Sequence, residues 1–193
     1  MSKTKVLFVM GRPGCGKGTQ IKFLEKKTGF KVIKTGELLR QREKENDFIS
    51  KKITETLSKG GLIPTPLVFL LWMPRLTRYR EEGASGVIFE GNPRKLYEAK
   101  MLEELFEMFG WGDVFLLYID ISEREARERL LKRGRSDDNE EDIKERLSWF
   151  NDEVRPVIEY FNKKSSVFRV DGEKSVNEVK KEIEEKLKEK IFI

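Results

Sequence analysis

The sequence predicts an α/β protein: a parallel sheet covered by helices on both faces, with a phosphate loop at the end of its first strand. Three observations predict it. Short apolar runs alternate with helix-patterned segments along the whole chain, as in successive βαβ units. The first apolar run, residues 6–10, ends in the glycine-rich turn GRPGCGKGT, which leads into a helical stretch over 20–27. Two later apolar runs end at the acids Glu90 and Asp120, and open α/β sheets bind ligands outside the carboxyl ends of their strands.

The turn after the first strand carries the most information. Gly11, Gly16 and Lys17 complete the pattern G-x-x-x-x-G-K. A glycine-rich turn lets successive N–H groups point inward as an anion-binding nest, and the following helix start adds positive dipole at the same place. Lys17 brings a full charge on a flexible stem, suited to terminal phosphates. Gly18 stands where many such loops have Ser or Thr, and the hydroxyl comes one place later, at Thr19. A plain strand-to-helix turn needs neither Lys17 nor so many glycines.

The remaining elements follow in order. Residues 30–33 read as a short strand, and Thr35 as the N-cap of the helix TGELLRQRE. Residues 47–58 read as a helix ended by Gly60 and Gly61. Pro64 and Pro66 form a turn before an apolar helix over 67–79, with a kink or break expected at Pro74. Residues 86–90 are a buried strand, and Gly91-Asn92-Pro93-Arg94 turns into a helix over 95–109. A strand over 114–119 precedes a helix capped by Ser122, with Glu125 at the capping-box position. Asp137-Asp138-Asn139 opens a long helix with Ile143, Leu147, Phe150 and Val154 on one face and a bend at Pro156. Residues 167–170 form the last strand. The segment 175–190 is an amphipathic helix with Val176, Val179, Ile183 and Leu187 inward.

Composition narrows the function classes. A chain of 193 residues suits one domain with small lids. The net charge of +5 is spread among interleaved acids, so a small polyanion explains it as well as nucleic acid would. Cys15 is the only cysteine and histidine is absent. Intramolecular disulfides, cysteine-rich zinc sites and histidine-based triads are excluded, and a cytoplasmic setting is expected. The first apolar run is too short for a signal peptide, and no run reaches the roughly 20 apolar residues of a membrane span.

Single residues are ambiguous. Arg129 and Arg133 stand four apart, where like charges repel unless an anion lies between them. Taken alone, pairing of Glu125 with Arg129 on a solvated face is the better account. Arg135 and Arg146 lie on either side of Asp137 and Asp138, acids that can orient arginines or cap a helix. Glu90 at a strand end can hold the hydration shell of magnesium or favour the next helix start. Phe69, Trp72, Trp149, Phe150, Tyr160 and Phe161 read as core.

Together these segments resemble the adenylate kinase family of nucleoside monophosphate kinases, nearly end to end. The shared motifs are GRPGCGKGTQ, TGELLR (35–40), GLIP (61–64), EGNPR (90–94), RLLKRGRSDDNEEDIKERL (129–147) and DGEK (171–174). The resemblance implies a P-loop NTPase-type sheet of five parallel strands in the order 2-3-1-4-5, a helical monophosphate-binding segment over about 34–63 and a lid over about 133–138. It implies reversible transfer of a phosphoryl group from ATP, with Mg2+, to a nucleoside monophosphate. AMP is the expected acceptor, with CMP/UMP or GMP as alternatives. A nucleotide-binding regulatory or assembly factor without transfer is the rival class. Only small nucleotides are expected as partners, with no nucleic acid or membrane, and a monomer.

Carried over residue by residue, Gly14, Cys15, Gly16, Lys17, Gly18 and Thr19 bind ATP phosphates. Arg129 covers the adenine of ATP, Arg133 contacts its phosphates and Lys174 lies near its base. Thr35, Arg40, the backbone of Gly61, Leu62 and Ile63, and Gly91, Asn92, Pro93, Arg94 and Glu98 line the monophosphate site. Arg135 and Arg146 clamp the transferring group. Lys17, Arg94, Arg133, Arg135 and Arg146 form the catalytic set, and Glu90 holds the metal through water. Four features depart from the family pattern. Glu90 replaces an aspartate, Asn92 an aromatic residue and Glu98 a glutamine. Only Gly134 separates Arg133 from Arg135, a lid so short that leakage to ATP hydrolysis is expected. A carboxylate offers acceptors only, so Glu98 is expected to set base choice, and Glu98→Gln to favour AMP over GMP and CMP.

Overall fold

A computed structural model of the chain describes residues 3–134, 138–164 and 166–191. Five parallel strands form one sheet: β1 (Lys5–Met10), β2 (Lys31–Lys34), β3 (Gly86–Glu90), β4 (Val114–Asp120) and β5 (Val167–Asp171), in the order β2-β3-β1-β4-β5. The expected order holds, with β1 at the centre. Its residues alternate strictly. Val6, Phe8 and Met10 face one core, and Leu7 and Val9 face the other. The same period runs through β3, with Val87 and Phe89 opposite Ile88. Such runs read as continuously apolar because helices cover both faces.

The register places the site. Val9 lies opposite Glu90, and Met10 opposite Tyr118. The chain therefore leaves β1, β3 and β4 at neighbouring points, at Gly11, Gly91 and Ile121. Gly91 N donates to Val9 O at 2.9 Å, which fastens the β3 exit to the central strand.

Helix α1 (Lys17–Thr28) follows the phosphate loop. Three helices separate β2 from β3: α2 (Thr35–Arg42), α3 (Phe48–Ser58) and α4 (Thr65–Glu81). Asp47 and Ser50 close a reciprocal capping box on α3. Helix α5 (Leu96–Met108) follows β3, and α6 (Glu123–Arg133) follows β4. Helix α7 (Glu140–Trp149) runs through a π-helical turn (Phe150–Val154) into α8 (Arg155–Lys163), and α9 (Val176–Leu187) follows β5. Among the described residues no helix is long and apolar enough to cross a membrane.

Several sequence expectations change in the structure. Helix α4 is continuous through Pro74. An internal proline costs a helix about 3 kcal/mol, but Pro74 is on the solvent face while Val68, Trp72, Leu76 and Tyr79 are buried on both sides of it. Thr35 is not the cap of α2. It is the first helical residue, buried, and its Oγ1 accepts from Trp72 Nε1 at 2.9 Å. Ser122 caps α6 through Glu125 N, but the reciprocal bond comes from Glu173, whose Oε1 accepts from Ser122 N at 2.8 Å. Asn139 caps α7. Pro156 sits just past the point where the π-helical turn passes into α8, and the irregularity before it is that turn. Val176 is 57% exposed rather than inward.

Candidate active site

The phosphate loop is held tightly against β4. Gly11 has φ +150°, and a Cβ there would lie 2.3 Å from Ile119 O. Only glycine lets the loop leave β1 this close to its neighbour. Gly16, at φ 91°, is the N-cap of α1, so the first N–H groups of that helix open onto the loop. The Lys17 ammonium donates to Gly11 O at 2.7 Å and Arg12 O at 3.0 Å and lies 3.5 Å from Cys15 Sγ. Gly14 packs against α6: a Cβ there would be 3.0 Å from Ala126 O. Gly18 faces Glu90, whose Oε1 lies 3.6 Å from the Cβ position. Thr19 is exposed on the first turn of α1.

The β3 exit carries the second half of the site. Arg94 Nε donates to Gly91 O at 3.1 Å, and its guanidinium lies over the Trp149 ring, 5.1 Å from the centroid. A Cβ at Gly91 would stand 3.7 Å from Lys17 Cε and 4.0 Å from Arg94 Nη2. Two cations from different strand ends thus flank one small residue. Desolvation deep in the cleft pulls the Arg94 pKa below its ordinary value. Glu98 and Glu90 oppose that shift, and Arg146 adds to it.

Glu98, in the first turn of α5, is buried. Its Oε2 accepts from Arg94 N at 2.7 Å, and its Oε1 lies 2.7 Å from Thr65 Oγ1. Thr65 Oγ1 is also 2.6 Å from Tyr97 Oη. One hydroxyl proton cannot serve both. The carboxylate can only accept, so Thr65 donates to Glu98 and Tyr97 donates to Thr65. Glu98 lines a cleft with Thr35, Leu39, Ile63, Val68 and Asn92; Leu57, Leu62, Arg94 and Lys95 also border it. The Asn92–Pro93 peptide is cis. Gly61 N donates to Thr56 O at 3.0 Å, and Gly60 O accepts from Trp149 Nε1 at 3.1 Å. This second bond ties the α3–α4 loop to α7. Arg40 is exposed, with its guanidinium folded back over Gly36.

The other arginines gather on a buried acid. Arg133 donates twice to Asp138, at 2.8 and 2.6 Å, and Arg146 donates to it at 3.1 Å. Asp138 is 6% exposed, so it orients two cations that would otherwise repel. Arg129 is held by Glu125 at 2.6 Å and Lys174 by Glu182 at 2.8 Å. Both are engaged on the surface rather than drawn into the Lys17–Arg94 cluster. Arg135 and Asp137 lie outside the described residues.

Three participants go beyond what the sequence motifs mark. Trp149 is a platform for Arg94 rather than a plain core residue. Thr65 sits behind Glu98. Arg12 braces the phosphate loop, donating to Ile121 O at 2.8 Å and lying 5.0 Å from the Phe150 ring centroid. Trp149 and Phe150, which meet these two guanidiniums, stand where α7 passes into the π-helical turn, a feature with no periodic signal in sequence.

Comparison with known proteins agrees with this arrangement. A sequence model described as adenylate kinase matches residues 9–166. Adenylate kinase isoenzyme 1 of Homo sapiens is 36% identical over 183 residues, covering 93% of this chain and 92% of that protein. Adenylate kinase 1 of Nostoc sp. is 36% identical over 180 residues, covering 93% and 96%. Adenylate kinase of Thermus thermophilus is 33% identical over 183 residues, covering 93% and 95%. With a phosphate loop, a facing arginine and the five-stranded order in place, the chain belongs to the adenylate kinase family and is a phosphotransferase, a nucleoside monophosphate kinase.

Proposed function

We propose that the chain catalyses reversible transfer of the terminal phosphoryl group of ATP to AMP, in the presence of Mg2+. The observation that carries this reading is the meeting of Lys17 and Arg94 at Gly91. One cation belongs to the phosphate loop and the other to the apolar cleft, so a phosphoryl group passing between the two sides stays within reach of both.

The chemistry asks for positioning and charge neutralisation rather than an acid–base pair. The loop from Gly14 to Thr19 holds the phosphates of ATP with backbone N–H groups and Lys17. Arg94 and Arg40 hold the phosphate of AMP. Arg133, Arg135 and Arg146 bring positive charge from the lid side, with Asp138 setting the direction of two of them. Arg129 and Lys174 lie on the side of the ATP base. Thr35, the backbone of Gly61, Leu62 and Ile63, and the cleft beside Glu98 receive the AMP nucleoside.

The residues fit a magnesium ion of the usual nucleotide type. Mg2+ takes one or two carboxylates, several waters and substrate phosphates, and Glu90 directs one carboxylate toward the start of α1, beside Gly18. When bound, the ion supplies charge neutralisation between phosphates. Glu90 serves to orient its water shell.

The test is a panel of AMP, GMP, CMP, UMP and dTMP with ATP and Mg2+, reading ADP. AMP should give the highest kcat/KM. A different preferred base rejects the acceptor assignment, and no ADP with any monophosphate rejects transfer.

A further inference from the structure

We propose that the side-chain amide of Asn92 reads the base of the monophosphate. It would take the exocyclic amine of adenine on its oxygen and offer its N–H to the adjacent ring nitrogen. The inference rests on the kinase reading above and adds to it a residue that sets specificity.

The polar groups of the cleft can be taken in turn. The Thr35 hydroxyl accepts from Trp72. The Glu98 oxygens are met by Thr65 and by Arg94 N. Arg94 lies against Trp149 and Gly91. Asn92 differs. It is 2% exposed, and its Oδ1 is buried without a hydrogen-bond partner among the described residues. The other buried atoms in that condition belong to Arg12, Trp111 and Asn151, none of which lines this cleft. Buried polar atoms are paired in the great majority of cases, and an exception inside a binding cleft calls for a partner. Around it stand Leu39, Ile63 and Val68, apolar surfaces suited to the faces of a flat ring.

An amide carries a donor and an acceptor side by side. Adenine presents the complement, an amine beside an unprotonated ring nitrogen. Glu98 cannot supply the donor half. Asn92 therefore provides in this cleft the paired donor and acceptor that a carboxylate at position 98 lacks.

The experiment compares AMP with purine riboside 5′-monophosphate, which lacks only the amine. Kd is read by calorimetry and kcat/KM by ADP formation, for the wild type and for Asn92→Leu. The wild type should favour AMP by about tenfold to a hundredfold, the effect of one buried hydrogen bond. Asn92→Leu should reduce that preference to less than about threefold, with KM for ATP unchanged. If Asn92→Leu does not fold, Asn92→Ala, which only removes atoms, carries the same comparison. A wild type indifferent to the amine, or a variant that keeps the full preference, overturns the proposal. Discrimination in Kd without any ADP formation would refute the transfer reading and uphold the base assignment.

Discussion

Replacing Glu98 by glutamine tests the interior of the acceptor cleft. The carboxylate accepts two short bonds, from Arg94 N and Thr65 Oγ1, both at 2.7 Å. Bonds to a charged acceptor are worth about 1.5–3 kcal/mol each and neutral ones about 0.5–1.5, so neutralising the group costs about 1–1.5 kcal/mol per bond. The amide must also choose an orientation. Arg94 N–H cannot turn, so the amide oxygen faces it and the NH2 faces Thr65. Thr65 can respond by passing its proton toward Tyr97. Against these losses stands the smaller cost of burying a neutral group. The net expectation is a destabilisation of about 2 kcal/mol. With a urea slope of about 2 kcal/mol per molar, the midpoint should fall by about 1 M in equilibrium unfolding followed by circular dichroism. The same variant should leave the order of AMP, GMP and CMP in kcat/KM unchanged, because the two bonds it weakens run between protein groups. Residue type alone suggests a shift toward AMP; the engaged oxygens reverse that expectation. A midpoint shift under about 0.3 M, or a tenfold change in base ranking, would refute the role given to Glu98.

Lys17→Ala should fold normally and lose about 2.7–4 kcal/mol of transition-state stabilisation, a hundredfold to a thousandfold in kcat by coupled assay. Arg94→Ala should raise the Kd for AMP far more than that for ATP in calorimetric titrations, and the opposite order would mean the two sides are reversed. With a single residue between Arg133 and Arg135, little chain is available to close over ATP and exclude water. A phosphate-release assay without acceptor should therefore show steady ATP hydrolysis. Tyr118 donates to Asp120 Oδ1 at 2.6 Å, and burial first, then that bond, push its phenol up to about 12. Because the folded value is the higher one, the stability it contributes is complete below pH ~10 and is lost between ~10 and ~12. Partial exposure keeps the loss below about 2.7 kcal/mol. Tyr118→Phe should flatten that alkaline limb in a pH series of urea midpoints.

The architecture and the chemistry of the loop are legible in the amino-acid order alone. Strand positions follow from apolar runs bounded by glycine, because a strand buried on both faces admits few polar residues. The phosphate loop follows from spacing, because glycine and lysine at those intervals serve few other ends. The motif order is enough for the family and for the β2-β3-β1-β4-β5 arrangement, which the register bears out. Helix ends are legible wherever a side chain acts on its own turn, as at Asp47 and Ser175.

Other features depend on residues far apart in the chain and emerge only when the elements pack. Local sequence makes Thr35 a cap, yet its hydroxyl answers to Trp72, 37 residues away. Pro74 has the local character of a break, yet burial of the surrounding face outweighs one missing N–H. Glu125 fits a capping box, but Arg129 holds its side chain and Glu173 from another loop takes its place. Trp149 and Thr65 carry no local mark of their part in the cleft. The state of Asn92 is likewise hidden. The resemblance to the family implies that an amide replaces an aromatic residue there, but whether that amide has a partner depends on what β3, α2 and α4 bring around it. Local patterns report what one segment does for itself; pairing and burial of a polar atom are properties of everything packed against it.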